Sequence, residues 1–174
     1  MEIYYIVLNN QETENLSRVE LKALQSKLGK AIVNYVGEKI YKIPDRTIIV
    51  EKNKPIFKFS DIHFSISHSN KIVLAAFDDS PVGVDTEFMK DRDFYKLSNH
   101  YGIQTSDKTE FYKKWTRLEA GIKIHADVNS TFTTIFKSDY MLTVVSNKPN
   151  NNHPQMNILS LEDLADLIEY NCLY

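Results

Sequence analysis

The chain has 174 residues, 43% of them hydrophobic and 25% charged, enough for a sizeable core in one compact unit or in two small subdomains sharing an interface. Its 21 basic and 23 acidic side chains leave a net charge of −2, which lacks the basic footprint of a nucleic-acid binder, so any anion must be held by a local site. The single cysteine, Cys172, excludes an intramolecular disulfide and a cysteine-rich zinc cluster, and no apolar stretch approaches the ~20 residues of a membrane-spanning helix. The expectation is a soluble, cytoplasmic protein with neither nucleic acid nor membrane as partner.

The opening MEIYYIVLNNQETENL has an apolar run without a basic leader or a small-residue cleavage site, so Ile3 to Leu8 reads as a first strand and Asn9 to Asn15 as a loop. From Leu16 to Val36 the apolar residues Val19, Leu21, Leu24, Leu28, Ile32 and Val36 recur mainly at three- and four-residue spacing, predicting an amphipathic helix broken near Gly37. Thr47 to Val50 reads as a short strand, Glu51 to Pro55 as a charged turn, and a further strand as reaching about Ser65. Ile72 to Phe77 and Val82 to Thr86, joined by Asp78-Asp79-Ser80-Pro81, read as a β-hairpin.

Residues 88–109 alternate polar and aromatic side chains and are read as helical pieces and loop. Glu110 to His125 is a clearer helix, with Phe111, Trp115, Leu118 and Ile122 as its apolar stripe. A second hairpin is expected from Phe132–Phe136 and Tyr140–Val145 around Lys137-Ser138-Asp139. Lys148 to Asn157 is an asparagine- and proline-rich loop in which His153 reads as a loop histidine, and Ser160 with Asp163 forms a capping box for a helix over Leu161 to Tyr170.

Three segments carry chemistry. On a strand, Asp85 and Glu87 of Gly83-Val84-Asp85-Thr86-Glu87 point to one face about 7 Å apart, where their mutual repulsion calls for water, a base or a hard divalent cation. The bland reading of such a pair is a solvated strand face. Glu119 and Lys123 lie one helical turn apart and, taken alone, read as an ordinary surface ion pair. Phe64-Ser-Ile-Ser-His-Ser69, with Lys52 and Lys54 upstream, offers hydroxyls, an imidazole and ammonium groups to phosphate oxygens. A serine–histidine hydrolase is set aside because Ser67 and His68 are neighbours and face opposite ways on a strand.

Over roughly residues 54 to 123 the order, spacing and flanks of these segments resemble the surfactin-type (Sfp-like) 4′-phosphopantetheinyl transferases. KPxF…FSISHS is similar to that family's GKP…FNISHS, PVGVDTE to its IGIDIE, and KKWTRLEAGIK to its tryptophan-to-lysine helix motif. The resemblance implies an α+β fold of two similar subdomains, a pseudo-dimer in which each half pairs a small antiparallel sheet with a long helix. The halves would be residues 1–80 and 81–174, with coenzyme A between them. It further implies that Asp85, Glu87 and Glu119 ligate Mg²⁺, with Mn²⁺ left open; that Asp85, Glu119 and Lys123 form the catalytic set; and that Lys54, Ser67, His68 and Lys123 hold the phosphates of coenzyme A.

The implied reaction moves the phosphopantetheine arm to a serine of an apo acyl or peptidyl carrier protein and releases adenosine 3′,5′-bisphosphate, on a monomer. The alternative is a catalytically impaired relative that binds coenzyme A or a partner protein without turnover. Three departures stand out. Leu118 replaces a motif lysine, Asn53 replaces a glycine, and the family's longer first half supplies a 3′-phosphate clamp for which Arg18, Lys22, Lys27 and Lys30 are the nearby candidates here.

Overall fold

A computed structural model describes residues 1–103, 105–149 and 152–170. Among the described residues, three sheets and two long helices form the framework. The first sheet has the order β4-β5-β1-β9, from β1 (Glu2–Val7), β4 (His63–Ser69), β5 (Ile72–Asp78) and β9 (Gln155–Ile158). Its pairings are antiparallel except β1 with β9, which is parallel. A second sheet, β6-β8-β7, is antiparallel and built from β6 (Val82–Phe88), β7 (Ser130–Phe136) and β8 (Tyr140–Ser146). β2 (Ile48–Glu51) and β3 (Lys54–Phe57) form a separate hairpin.

Period-two alternation sorts the strand residues into layers. Tyr4, Ile6, Val73, Ala75 and Phe77 face α1 (Arg18–Tyr35) with Leu28, Ile32 and Val36. Their neighbours Ile3, Tyr5, Ile72, Leu74 and Ala76 face the second sheet and meet Val82, Val84, Leu142 and Val144. On the far side of that sheet lies α3 (Lys108–Ile124), against Met141 and Val145. The order of layers is therefore helix, sheet, sheet, helix. β5 is buried along its whole length because both its faces and both its edges are covered.

Local signals set the helix ends. Ser17 and Glu20 form a capping box at the start of α1, which passes after Tyr35 into a π-helical turn, Val36–Ile40. Asp107 caps α3, and His125 ends it at a positive φ. α2 (Phe94–Tyr101) ends at Gly102, where φ is +68°. The Ser160–Asp163 capping box is present, ahead of a 3₁₀ turn, Glu162–Leu164, and α4 (Ala165–Tyr170). Among the described residues no helix is long and apolar enough to cross a membrane.

Several expectations are corrected. β5 and β6 are not a hairpin: Asp79–Pro81 carries the chain from the first sheet to the second, and β6 pairs with β8 while β4 pairs with β5 through Asn70-Lys71. Lys54 and Pro55 belong to β3, because the turn is only Lys52-Asn53, both at positive φ. Asn53 thus takes, at φ +66°, the left-handed position that suits a glycine, which explains that departure from the motif. Gln155 to Asn157, read as loop, belong with Ile158 to strand β9; Asn150 and Asn151 of the same stretch, like Cys172, lie outside the described residues.

The predicted helix stripes hold in part: Leu28, Ile32 and Val36 of the first, and Phe111 and Trp115 of the second, pack into the core. Val19, however, is 79% exposed, and Gln25, Gly29 and Val33 join the buried face of α1. On α3, Leu118 and Ile122 are 47% and 59% exposed, whereas Thr116, Ala120 and Ile124 are buried. The reason is close approach. A Cβ on Gly83 of β6 would lie 2.1 Å from the carbonyl oxygen of Ala120 and 2.9 Å from the nitrogen of Ile124, so backbone meets backbone and only small residues fit the contact.

Gly83→Ala is therefore expected to cost about 1–3 kcal/mol by overpacking. Gly121→Ala, with nothing within 4 Å of its would-be Cβ, should stabilise α3 by roughly 0.5–1 kcal/mol. Urea denaturation of the two variants checks this pair, and equal effects would contradict the close approach.

Candidate active site

β6 has β8 on one side only, so the amides and carbonyls along its other edge need partners. β4 lies along that edge and supplies them through side chains. Its even-numbered residues Phe64 and Ile66 pack toward α1, leaving Ser65, Ser67 and Ser69 on the opposite face. The amides of Val84, Thr86 and Phe88 donate to the hydroxyls of Ser65, Ser67 and Ser69 at 3.1, 3.1 and 3.0 Å. An alternating serine row thus stands in for a ladder between two sheets.

Two lysines complete the edge. Lys54 Nζ donates to the carbonyls of Val82 at 2.9 Å and Ile124 at 3.1 Å, joining β3 to β6 and to the last turn of α3. It is only 8% exposed, and burial pulls its pKa down to about 8. Lys123 Nζ reaches from α3 to the carbonyl of Val84 at 3.1 Å, to Ser67 Oγ at 3.3 Å and to Asp85 Oδ1 at 2.7 Å. Its three donor positions are all used within the protein.

Asp85, 4% exposed, is where the motif segments converge. Its Oδ1 accepts from Ser67 Oγ at 3.0 Å as well as from Lys123, while Oδ2 is buried with no partner. Burial raises its pKa to about 6, against the opposing pull of the Lys123 ammonium and the Ser67 hydroxyl. Glu87, two residues on, accepts from Ser69 Oγ at 2.9 Å. His68 projects from the other face of β4, where burial and the positive charges of Lys123 and Lys22 hold its imidazole below its usual pKa.

Three adjoining cavities follow this seam. One of about 390 Å³ is walled by Ser26 and Lys30 of α1 together with Ile66, Ser67, His68, Asp85 and Lys123. His68 also borders a basin of about 590 Å³ that contains Glu87 among Arg18, Lys22, Lys90 and Arg92. Ile66 and Lys123 border a third, more apolar cavity of about 420 Å³ with Lys54, Pro55, Phe64 and Ile122.

Four residues singled out from the sequence, Ser67, His68, Asp85 and Lys123, thus share one cavity, and Glu87 lies in the next. Lys54 borders the third with its ammonium bonded to carbonyls. Glu119 is half-buried on α3, one turn before Lys123. Among the described residues no three His, Cys, Asp or Glu side chains are gathered as a ready metal cage. Leu118, expected to be absorbed into packing, is instead exposed.

Sequence reasoning missed Ser65 and Ser69 as partners of β6, and Lys90 and Arg92 as walls of the large basin. The period-two serines were visible, but the β4–β6 register that gives them meaning was not.

The Asp85 environment makes a pH prediction. Between about pH 4 and pH 6 the unfolded chain ionises Asp85 while the folded chain still holds its proton, so this group lowers stability as pH rises. Asp85→Asn removes the effect. The stability of Asp85→Asn relative to wild type should therefore grow by roughly 2–3 kcal/mol from pH 4 to pH 7. A pH-independent difference in urea titrations would contradict it.

No family model matches the chain. Against individual proteins it is 30% identical over 142 residues, 67% of this chain and 60% of the relative, to the 4′-phosphopantetheinyl transferase gsp of Aneurinibacillus migulanus. It is 30% identical over 121 residues, 62% of this chain and 52% of the relative, to 4′-phosphopantetheinyl transferase psf-1 of Bacillus pumilus. Over 110 residues, 55% of this chain and 49% of the relative, it is 33% identical to 4′-phosphopantetheinyl transferase Sfp of Bacillus subtilis. The chain thus spans between about half and 60% of the length of these proteins. Over 55–67% of its length the chain is thus similar in sequence to 4′-phosphopantetheinyl transferases, and four of the residues that carry the likeness share one cavity.

Proposed function

We propose that the chain transfers the 4′-phosphopantetheine arm of coenzyme A to a serine of an apo acyl or peptidyl carrier protein, with Mg²⁺, releasing adenosine 3′,5′-bisphosphate. The observation that carries this reading is the junction of Asp85, Ser67 and Lys123, drawn from β6, β4 and α3, in direct hydrogen bonds inside a cavity that also holds His68 and Lys30. Carboxylate, hydroxyl, imidazole and ammonium groups together suit a diphosphate and a hard cation.

The donor set fits Mg²⁺. Asp85 Oδ2 is a buried oxygen without a partner, and Mg²⁺ takes one or two carboxylates plus substrate phosphates and water over an all-protein cage. Asp85 and Glu87 would hold it, with Glu119 as the third carboxylate. When bound, it would neutralise diphosphate charge and orient the reacting phosphorus. The protein's own groups do the rest. His68 and Lys30 face the diphosphate from opposite walls, and Lys123, whose protons are held by Val84, Ser67 and Asp85, steadies the leaving bisphosphate through its charge. Glu119 accepts the proton of the carrier serine as its oxygen bonds to the pantetheine-side phosphorus and the phosphorus–oxygen bond to the bisphosphate breaks.

We also read the two halves as counterparts. β1-α1-β4-β5 and β6-α3-β7-β8 share one plan, in which the first strand pairs with the last and the helix precedes the second. The coenzyme A cleft would lie between them.

Incubation with fluorescent coenzyme A, Mg²⁺ and a panel of apo carrier proteins should label at least one carrier. Glu119→Gln should lower labelling by about 10²-fold or more with an unchanged melting temperature. Unchanged labelling would remove Glu119 from the base role. Calorimetric binding of coenzyme A without transfer to any carrier would overturn the transferase reading in favour of a non-catalytic relative.

A further inference from the structure

Ser69 is assigned no part in the chemistry proposed above, yet its hydroxyl is wired in one direction. Its oxygen accepts from the Phe88 amide at 3.0 Å and its proton goes to Glu87 Oε2 at 2.9 Å. A backbone N–H can only donate and an ionised carboxylate can only accept, so the single hydroxyl proton has one destination. Ser67 repeats the pattern, accepting from the Thr86 amide and donating to Asp85 Oδ1. The offsets are identical: each serine takes the amide 19 residues on and serves the carboxylate 18 residues on.

The consequence is the same at both acids. One oxygen is held by a hydroxyl anchored to β6, and the other is left over. Asp85 Oδ2 is buried without a partner, and Glu87 Oε1 makes no hydrogen bond or ion pair among the described residues. Glu87 meanwhile sits beside Lys90 and Arg92 in the large basin, and either cation could draw an untethered carboxylate away.

We infer that Ser69 is a positioning residue for Glu87: it pins Oε2 against the β6 backbone, leaving Oε1 as the ligand atom for a divalent cation shared with Asp85. This rests on the reading of Asp85 and Glu87 as cation ligands. Removing a hydrogen-bond partner of a metal ligand typically lowers metal affinity about 10–100-fold.

The test is Mn²⁺ binding, followed by electron paramagnetic resonance and calorimetry on the full chain with coenzyme A present and no carrier protein. Ser69→Ala should weaken Mn²⁺ binding by roughly 10-fold or more, and Ser69→Thr, which keeps the hydroxyl, should restore most of it. Thermal melts without metal separate this from a structural role. A Ser69→Ala chain that melts lower but binds Mn²⁺ like wild type overturns the inference, as does a Ser69→Thr chain as weak as Ser69→Ala. A wild-type chain that binds no Mn²⁺ overturns both this inference and the ligand reading beneath it.

Discussion

The open edge of β6 is the constraint on which the rest of the site depends. A strand paired on one side and covered on the other must find partners for every second amide and carbonyl, or bear the cost of burying them unpaired, about 1–3 kcal/mol each. Here the partners are side chains: three serines of β4 for amides, and Lys54 and Lys123 for carbonyls. Meeting β6 this way brings β4 of the first sheet, β6 of the second and the end of α3 to one line. The cavities lie along that line because hydroxyls and ammonium groups bridge the strands less closely than a ladder would.

The same constraint explains why polar residues interrupt an otherwise apolar interface. Ser65, Ser67 and Ser69 share a sheet face with Ala76, Leu74 and Ile72, their partners in β5, which belong to the core between the sheets. Apolar side chains at those three positions would pack, but would leave the β6 amides unpaired. Beneath α3, Thr116 and Thr133 both meet Thr143 through their hydroxyls, so that contact too is small and polar rather than filled by large apolar groups.

How much of this could be read from the sequence varied with how local the cause was. The Ser160–Asp163 cap, the turn at Lys137–Asp139 and the opposite facing of Ser67 and His68 depend on neighbours in the chain, and they stand in the structure as expected. The β5–β6 hairpin failed because an apolar run shows that a strand is buried without naming its partner. The α3 stripe held at Phe111 and Trp115 and failed at Leu118 and Ile122, because the deciding contact there, Gly83 against Ala120 and Ile124, lies some forty positions away. Lys54 was legible as a motif residue; its bonds to the carbonyls of Val82 and Ile124 were not, since they join three elements distant in sequence. The two departures divide in the same way. Asn53 is explained by its backbone angle alone, whereas Leu118, 47% exposed on α3, replaces a charge for a reason the structure does not supply.

β9 gives the first sheet its last strand from near the far end of the chain, Gln155–Ile158 alongside Glu2–Tyr5. During synthesis, β1 can acquire its antiparallel neighbour β5 as soon as residue 78 has emerged, but its second edge stays bare for some eighty residues more. An exposed strand edge invites pairing with other chains. The nascent first half therefore passes through a sticky stage that ends only when β9 arrives, and α4, which packs on α1, closes behind it.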